Sequence, residues 1–506
     1  MRVHAGSGRR SGKRGTNATD AAIAKRDEHL FLTQLYSQVM KSDELDRHDV
    51  ARASDDSRAV VVESAGDFEA DATLLHLVKG LGNLRGVAKV VLSKLHEHSG
   101  GSLALLMRRF RPDDGELPMT LLKFDRAQKI VVEANNTKQF SPQWGPAHPR
   151  LQNTVVVDDQ QCWALMQMDL CGGALGMPGL ARTDPVCTLA SVLTTFINRG
   201  PGSLREHIDV TRTIHAVGHA LERWSEPTGE WMNLCEHYDI RASILKRILH
   251  KPENSAILVP SLLPGADASA GTFFAELEQA LGAMESLEVA TGRGLCHGNS
   301  HGGNYLIDAL GGVFLLDYAS VHDNGHSLTD LGKLVASMLL LYTEYDPRDD
   351  AAFESLCKRL AAAGMSDGGH FPVSTRATAR VARLEQLVGE MWQHITAMNC
   401  GGDGVAFVWV LLRYAIRMVD FAETSTDAQR ARCVLLATAC AQRLLAVGGL
   451  RGAAVTAVKM KAKNAEADAV AAVEAASDAG ARGGWSELDD LLSKEATADA
   501  AAMDLV

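Results

Sequence analysis

Apolar and polar positions change their rhythm along the chain. Between 87 and 170 short apolar, β-branched runs alternate with turn residues. Val87 to Leu95 is followed by Ser99-Gly100-Gly101-Ser102, Leu103 to Phe110 by Pro112-Asp113-Asp114-Gly115, and then comes Met119 to Phe124. This pattern predicts a small antiparallel sheet with a glycine turn between its first two strands. Ala127 to Gln139 reads as a helix, and Thr154 to Val157 and Trp163 to Met168 as two further strands. From about 185 to 290 and from 328 to 448 the spacing turns helical: Leu189, Val192, Leu193 and Phe196 share one face, as do Phe274, Leu277, Leu281 and Met284. The expected fold class is therefore α+β. A small antiparallel β lobe over 87–170 precedes a larger helical lobe over 171–450. Before them lie a basic arm, 1–30, expected to be disordered, and a helical or extension segment, 31–86; an Ala-rich tail, 451–506, follows.

Composition narrows the class. With 506 residues, 46% apolar and 22% charged, the chain has the make-up of a soluble protein of two or three domains. Apolar runs such as Phe407 to Leu412 fall far short of the ~20 residues a membrane-spanning helix needs. Nine scattered cysteines, odd in number and without C-x-x-C, argue against a disulfide framework and a zinc ribbon, so a reducing, cytoplasmic setting is expected. A net charge of −11 gives no drive toward nucleic acid. Positive charge gathers at the start: Arg2, Arg9, Arg10, Lys13 and Arg14 stand among Gly and Ser with no acid before Asp20. An unstructured arm is the preferred reading, and the same residues also fit an organelle transit peptide or a nuclear signal. In the tail, Ser486-x-x-Asp489 opens a short apolar face, Trp485, Leu488, Leu491 and Leu492, which makes 485–492 a possible docking helix for a protein partner.

One segment stands apart from the helical background. Cys296-His297-Gly298-Asn299-Ser300-His301-Gly302-Gly303-Asn304-Tyr305-Leu306-Ile307-Asp308 crowds polar groups into a loop, and Val313-Phe314-Leu315-Leu316 ends in Asp317-Tyr318-Ala319. Magnesium on a nucleotide takes one or two hard oxygen ligands projected from rigid strand ends, and Asn304 and Asp317 supply an amide oxygen and a carboxylate across a hairpin. The block H-G-N-S-H-G-G-N…L-L-D-Y-A resembles the H-G-D-x-x-x-x-N…I-D-F/Y motif of the aminoglycoside phosphotransferase and choline kinase branch of the protein-kinase-like fold, most of all bacterial-type domains carrying H-G-D-L-H-G-G-N. Gly325-His326 and Asp330-Leu331 match the glycine and Asp-Leu that open the next helix in those families.

The resemblance implies a two-lobed kinase-like fold with ATP and Mg²⁺ in the cleft, and each upstream part of the template has an occupant. Gly100, Gly101 and Ser102 would form the phosphate-covering turn, although S-G-G-S lacks the full G-x-G-x-x-G. Lys123 would bind phosphate, Glu133 would be its ion-pair partner, and Met168, Asp169 and Leu170 would be the adenine-contacting hinge. Ten residues from Lys123 to Glu133 is a short interval, implying an abbreviated helix or a different glutamate. His297 and Asp330 are read as architectural, the latter as a helix N-cap that also holds the loop.

The template departs at Asn299, where active members carry the aspartate that accepts or orients the substrate hydroxyl proton. An amide cannot be that base, though it can position a hydroxyl, and His301 two residues on could take the proton. The expected function is ATP-dependent phosphotransfer to a hydroxyl of a small molecule, weak if present. The alternative is a pseudokinase scaffold that binds nucleotide. A third class, a metal hydrolase, rests on His215-x-x-x-His219 and His322-x-x-x-His326, which would sit one turn apart on helices; without H-E-x-x-H, exposed histidines are the preferred reading.

Overall fold

The computed structural model describes residues 60–447, leaving aside short internal stretches and the longer ones at 172–186 and 241–287, where only Leu277 and Leu281 are described. The basic arm, most of 31–86, Gly100 and Gly101, Phe274 and Met284, and the tail with its 485–492 helix lie outside the described residues.

The first lobe is a six-stranded sheet ordered β1-β2-β3-β4-β6-β5, formed by β1 (Val61–Ala65), β2 (Lys89–His98), β3 (Ser102–Phe110), β4 (Thr120–Arg126), β5 (His148–Asp158) and β6 (Trp163–Cys171). All neighbours run antiparallel except β1, which pairs parallel to β2 from Val61↔Lys89. Successive side chains on a strand face opposite ways, and this parity builds two cores. Leu92, Leu105, Met107, Leu122 and Phe124 pack outward with Leu74, Leu77 and Val78 of α1 (Ala72–Lys79). Leu106, Leu121, Met166 and Met168 pack inward on Leu306, Phe314 and Leu316 of the other lobe. Lys123, two residues from Leu121, is thereby assigned to the inner face.

The lobe begins earlier than position 87. β1 and α1 belong to it, although the sequence pattern placed them in a separate extension. The outer face of the sheet is apolar and would be exposed without α1, so the segment is needed to close that core. α2 (Ala127–Trp144) starts where β4 ends, with Arg126 at its N-cap, and runs five residues past Gln139.

The second lobe holds α3 (Leu189–Arg199), α4 (Val210–Ser225), α5 (Leu234–Tyr238), α6 (Thr329–Leu340), α7 (Asp350–Ala363), α8 (Ala379–Met398), α9 (Val405–Met418) and a helix over 427–447. Every residue of α6 is buried, which places it at the centre of the lobe. The apolar run Phe407 to Leu412 is core within α9, and no helix among the described residues is long and apolar enough to cross a membrane.

Strands also occur within the expected helical stretch 185–290, and others lie between it and the second one. A sheet β12-β9-β8 joins β8 (Thr228–Asn233), β9 (Glu288–Cys296) and β12 (His322–His326), while β7 (Cys187–Thr188) pairs with β10 (Tyr305–Ile307), itself paired with β11 (Val313–Leu315). β9 is written Glu-Val-Ala-Thr-Gly-Arg-Gly-Leu-Cys, and its glycines explain the choice. A Cβ at Gly294 would lie 2.1 Å from the Ser225 carbonyl oxygen, and one at Gly292 would lie 2.7 Å from that of Met398. The strand is threaded past the C-terminal ends of α4 and α8, where no larger residue fits.

Candidate functional site

The hairpin β10–β11 is closed beyond its strands by the Leu316 N–H donating to the Asn304 carbonyl at 2.8 Å. Asn304 and Asp317 therefore leave the hairpin side by side. Asp317 adopts φ +63°, ψ +58°, the left-handed region that an L-residue enters at a cost of about 1–2 kcal/mol. That turn brings its carboxylate to the inner face of the sheet, where it accepts a hydrogen bond from Lys123 Nζ. The same ammonium lies 2.5 Å from Glu133 Oε2. The interval from Lys123 to Glu133 is short because β4 runs directly into α2, not because the helix is abbreviated, and Glu133 itself is the partner.

α2 is bolted to the hairpin at two further points. Asn136 Nδ2 donates to the Tyr318 carbonyl at 2.9 Å, and Trp144 Nε1 donates to that of Val313 at 2.9 Å.

Two carboxylates share one ammonium in this cleft. Burial opposes charge on Lys123, yet Glu133 and Asp317 together raise its pKa. Burial also opposes ionisation of Asp317, but Lys123, His297 and the Asn299 amide outweigh it and hold the carboxyl below the usual carboxylate range. For Glu133 burial wins over Lys123, and its pKa is pushed up to about 7. Glu133 is the carboxylate with the spare valence: its Oε1 is buried without a hydrogen-bond partner.

The loop before the hairpin is held from below. The backbone N–H groups of His297 and Gly298 donate to the two oxygens of Asp330, at 2.7 and 3.0 Å, and His297 Nε2 donates to the Leu316 carbonyl at 2.8 Å. His297 is thus architectural. Asp330 holds the loop but is not the N-cap, which is Leu328; it sits in the first turn of α6. Asn299 Nδ2 donates to Asp317 Oδ2 at 2.7 Å, its Oδ1 accepts from Lys333 Nζ, and its carbonyl accepts from Asn304 Nδ2 at 2.8 Å. Asn304 Nδ2 also reaches Asp317 Oδ2 at 3.3 Å. His301 Nδ1 accepts the Gly303 N–H at 3.2 Å and so caps the short turn Gly302–Asn304.

Lys333 was not singled out in the sequence. The available signal was its spacing: three residues after Asp330 on a helix, it shares that residue's face. Burial first, then Arg417 and Arg413, lower its pKa to about 8 against the pull of Asp330 and Asp317. In an unfolded chain a lysine titrates near about 10.4, so between these values the unfolded state binds the proton that the folded state has lost, and stability rises with pH. The expected rise from about pH 8 to about pH 10.5 is on the order of 3 kcal/mol, present in the native chain and absent in Lys333→Met. Urea unfolding across that range checks it; equal slopes in both proteins would mean that the ammonium is solvated.

Other expected site residues fall differently. Met168 and Asp169 lie inside β6 with partners on both β4 and β5, and Leu170 still pairs with Pro149, so strand pairing takes up backbone that a hinge would offer to adenine. Residues 172–186, which follow β6, lie outside the described residues. Ser102 opens β3 opposite His98, flanking the undescribed glycines. The His322 and His326 pair lies on strand β12, not a helix, and His326 is buried between Tyr238 and Thr291. His215 and His219 do share a face of α4, but with a third histidine beside them, His394 of α8, so they are not simply exposed residues.

A strand lysine tied to a helix glutamate, beneath a five-strand antiparallel array and above a helical lobe that presents an Asn/Asp hairpin, describes one architecture. The fold is two-lobed and kinase-like. No family model and no curated protein matches the chain. Similar solved structures include a thermostable mutant of aminoglycoside phosphotransferase APH(4)-Ia in ternary complex with ADP and hygromycin B, at 12% identity over 70% of this chain and 96% of that one, with a TM-score of 0.35. A glucosamine kinase matches at 11% identity over 72% of this chain and 81% of its own, TM-score 0.35. A choline kinase from Cryptosporidium parvum matches at 12% over 74% and 92%, TM-score 0.26. At these TM-scores the likenesses add nothing to the functional reading, which rests on the geometry above.

Proposed function

We propose that the cleft binds ATP with Mg²⁺ and that the chain is a kinase-like phosphotransferase of low turnover acting on a hydroxyl of a small molecule. The observation that carries this reading is Lys123 held between Glu133 and Asp317, with Asn304 on the same Asp317 carboxylate. Lys123 would anchor the phosphates and Glu133 would hold it in place. The residue types suit a hard cation, one carboxylate and one amide oxygen being the number that Mg²⁺ takes from protein when phosphates supply the rest. Asn304 now turns its Nδ2 to Asp317 and to the Asn299 carbonyl and would have to rotate its amide to present Oδ1. Asp317 and Asn304 would hold that ion, which when bound neutralises charge on the transferring phosphoryl group.

Asn299 would position the acceptor. Both ends of its amide are tied, to Asp317 and to Lys333, so neither end takes a proton, and that favours low turnover. His301 could receive the proton only through Nε2, since Nδ1 caps the turn. The same observation on Asn299 supports a second reading, a nucleotide-binding scaffold without transfer. The acceptor class follows the motif resemblance, as no A-P-E-type activation segment follows Asp317.

Saturating Mg·ATP at ~100 times its dissociation constant is expected to stabilise the fold by about 2.7 kcal/mol. Thermal unfolding reads this directly. The gain should vanish with EDTA and in Asp317→Asn; a gain that survives both puts nucleotide elsewhere.

A further inference from the structure

Three imidazoles meet away from the cleft groups, where α4 crosses α8. His215 and His219 stand one turn apart on α4, and His394 comes from α8. Their ring centroids form a nearly equilateral triangle with sides of 4.6, 4.9 and 4.7 Å, no two rings are parallel, and one ring nitrogen from each lies within 4.8 Å of the others. Ligand nitrogens around a tetrahedral zinc ion, each about 2.0–2.1 Å from it, would need only a modest contraction from this spacing. His219 can supply it, because its side chain is 58% exposed, with Glu222 Oε2 3.8 Å from its Nδ1.

The cluster is built. His394 is buried, with a side-chain exposure of 1%, and its ring lies against α4 only because position 218 is glycine. A Cβ there would fall 2.2 Å from His394 Cδ2. Glycine inside a helix costs roughly 0.5–1 kcal/mol relative to alanine, and here that cost opens a seat for an imidazole.

Hydrogen bonding fixes which nitrogen His394 presents to the other two rings. His394 Nδ1 donates to Glu222 Oε2 at 3.1 Å, which makes Nε2 the lone-pair nitrogen. Gln393 Nε2 donates to His215 Nδ1 at 2.6 Å, so that nitrogen is an acceptor too. His394 Nε2 and His215 Nδ1 lie 3.2 Å apart, close to the spacing of two nitrogens on one tetrahedral ion, and the Gln393 amide would release the single lone pair of His215 Nδ1 when a metal binds.

We infer that His215, His219 and His394 bind one zinc-class divalent cation that clamps α4 to α8, with Glu222 fixing the ring of His394. Imidazole donors select a borderline transition ion over Mg²⁺ or Ca²⁺, and a carboxylate on the far nitrogen of a ligating histidine is the usual means of orienting it. The fourth position opens past His219 toward solvent and would hold water.

The test uses the full chain, stripped with chelator, without nucleotide, and titrated calorimetrically with Zn²⁺ alone in excess Mg²⁺. One ion per chain is expected, and Co²⁺ in its place should give the intense visible absorption of a four-coordinate site. His394→Ala removes a buried ring and can fail to fold, so the exposed face carries the measurement. His219→Ala is expected to weaken binding at least 100-fold, and Glu222→Gln 10–100-fold. Absence of stoichiometric uptake overturns the site. So does uptake undiminished in the double variant His215→Ala/His219→Ala, since the metal would then be held by other histidines of the chain. Unchanged affinity in Glu222→Gln would overturn the role given to that carboxylate.

Discussion

Lys123→Met is expected to destabilise the protein by about 3–5 kcal/mol at pH 8, the cost typical of removing one partner from a buried ion pair. Glu133 and Asp317 would be left facing one another with no cation between them. The deficit should shrink as pH falls. With the ammonium gone both carboxyls have raised folded-state pKa values, so the folded state gains protons before the unfolded state does and recovers stability toward about pH 5. Glu133 would take the first proton, being already at about 7 in the native chain. Urea unfolding at the two pH values measures this, and the same variant should lose its response to Mg·ATP. Native-like stability at pH 8 together with an intact nucleotide response would remove Lys123 from the site.

Asn299→Asp is expected to raise ATP hydrolysis by roughly 10²–10⁴-fold, the usual worth of a positioned general base. The native hydrogen bonds give this variant a second signature. The Asn299 amide now donates to Asp317 Oδ2 at 2.7 Å, and a carboxylate in its place would meet like charge there while gaining Lys333 as a counter-ion. Without Mg²⁺ the variant should therefore unfold at lower urea than the native chain, and Mg²⁺ should narrow the difference. If instead the native chain turns over rapidly, Asn299→Asp changes nothing and His301→Ala stops the reaction, His301 is the base. No turnover in either form, with nucleotide still bound, assigns the chain to the scaffold class.

Much of this site was legible because its parts are local. The loop 297–317 carries its polar residues in one short run, and strand parity alone assigns Lys123 to the face of Leu121. What sequence could not supply was contact between distant elements. Lys123 meets Asp317 across 194 positions, and only the resemblance linked them beforehand. β1 and α1 were assigned to an extension because their short apolar patterns make sense only against the outer face of a sheet contributed by later residues. Most of β9 lay between the two stretches read as helical and was given no element, because its glycines answer to the ends of α4 and α8, not to any local preference. Lys333 and His394 each read as an ordinary helix residue. Their roles come from what faces them: a loop amide in one case, a pair of histidines 175 or more positions away in the other. An apolar strand read from sequence also carries no mark of where its pairing stops, and in β6 pairing continues through Met168, Asp169 and Leu170.

The bonds from Asn136 and Trp144 determine how this molecule can flex. Glu133 rides on a helix that continues β4 without a linker at one end and is fastened to the Asp317 turn and the hairpin along the rest. The helix is therefore a wedge common to both lobes, and the ion pair at its centre cannot be broken by swinging it outward without also pulling on the hairpin. A change in the angle between the lobes then has to bend the sheet beyond β4, toward β3 and β2, while β4, α2 and the hairpin travel as one piece.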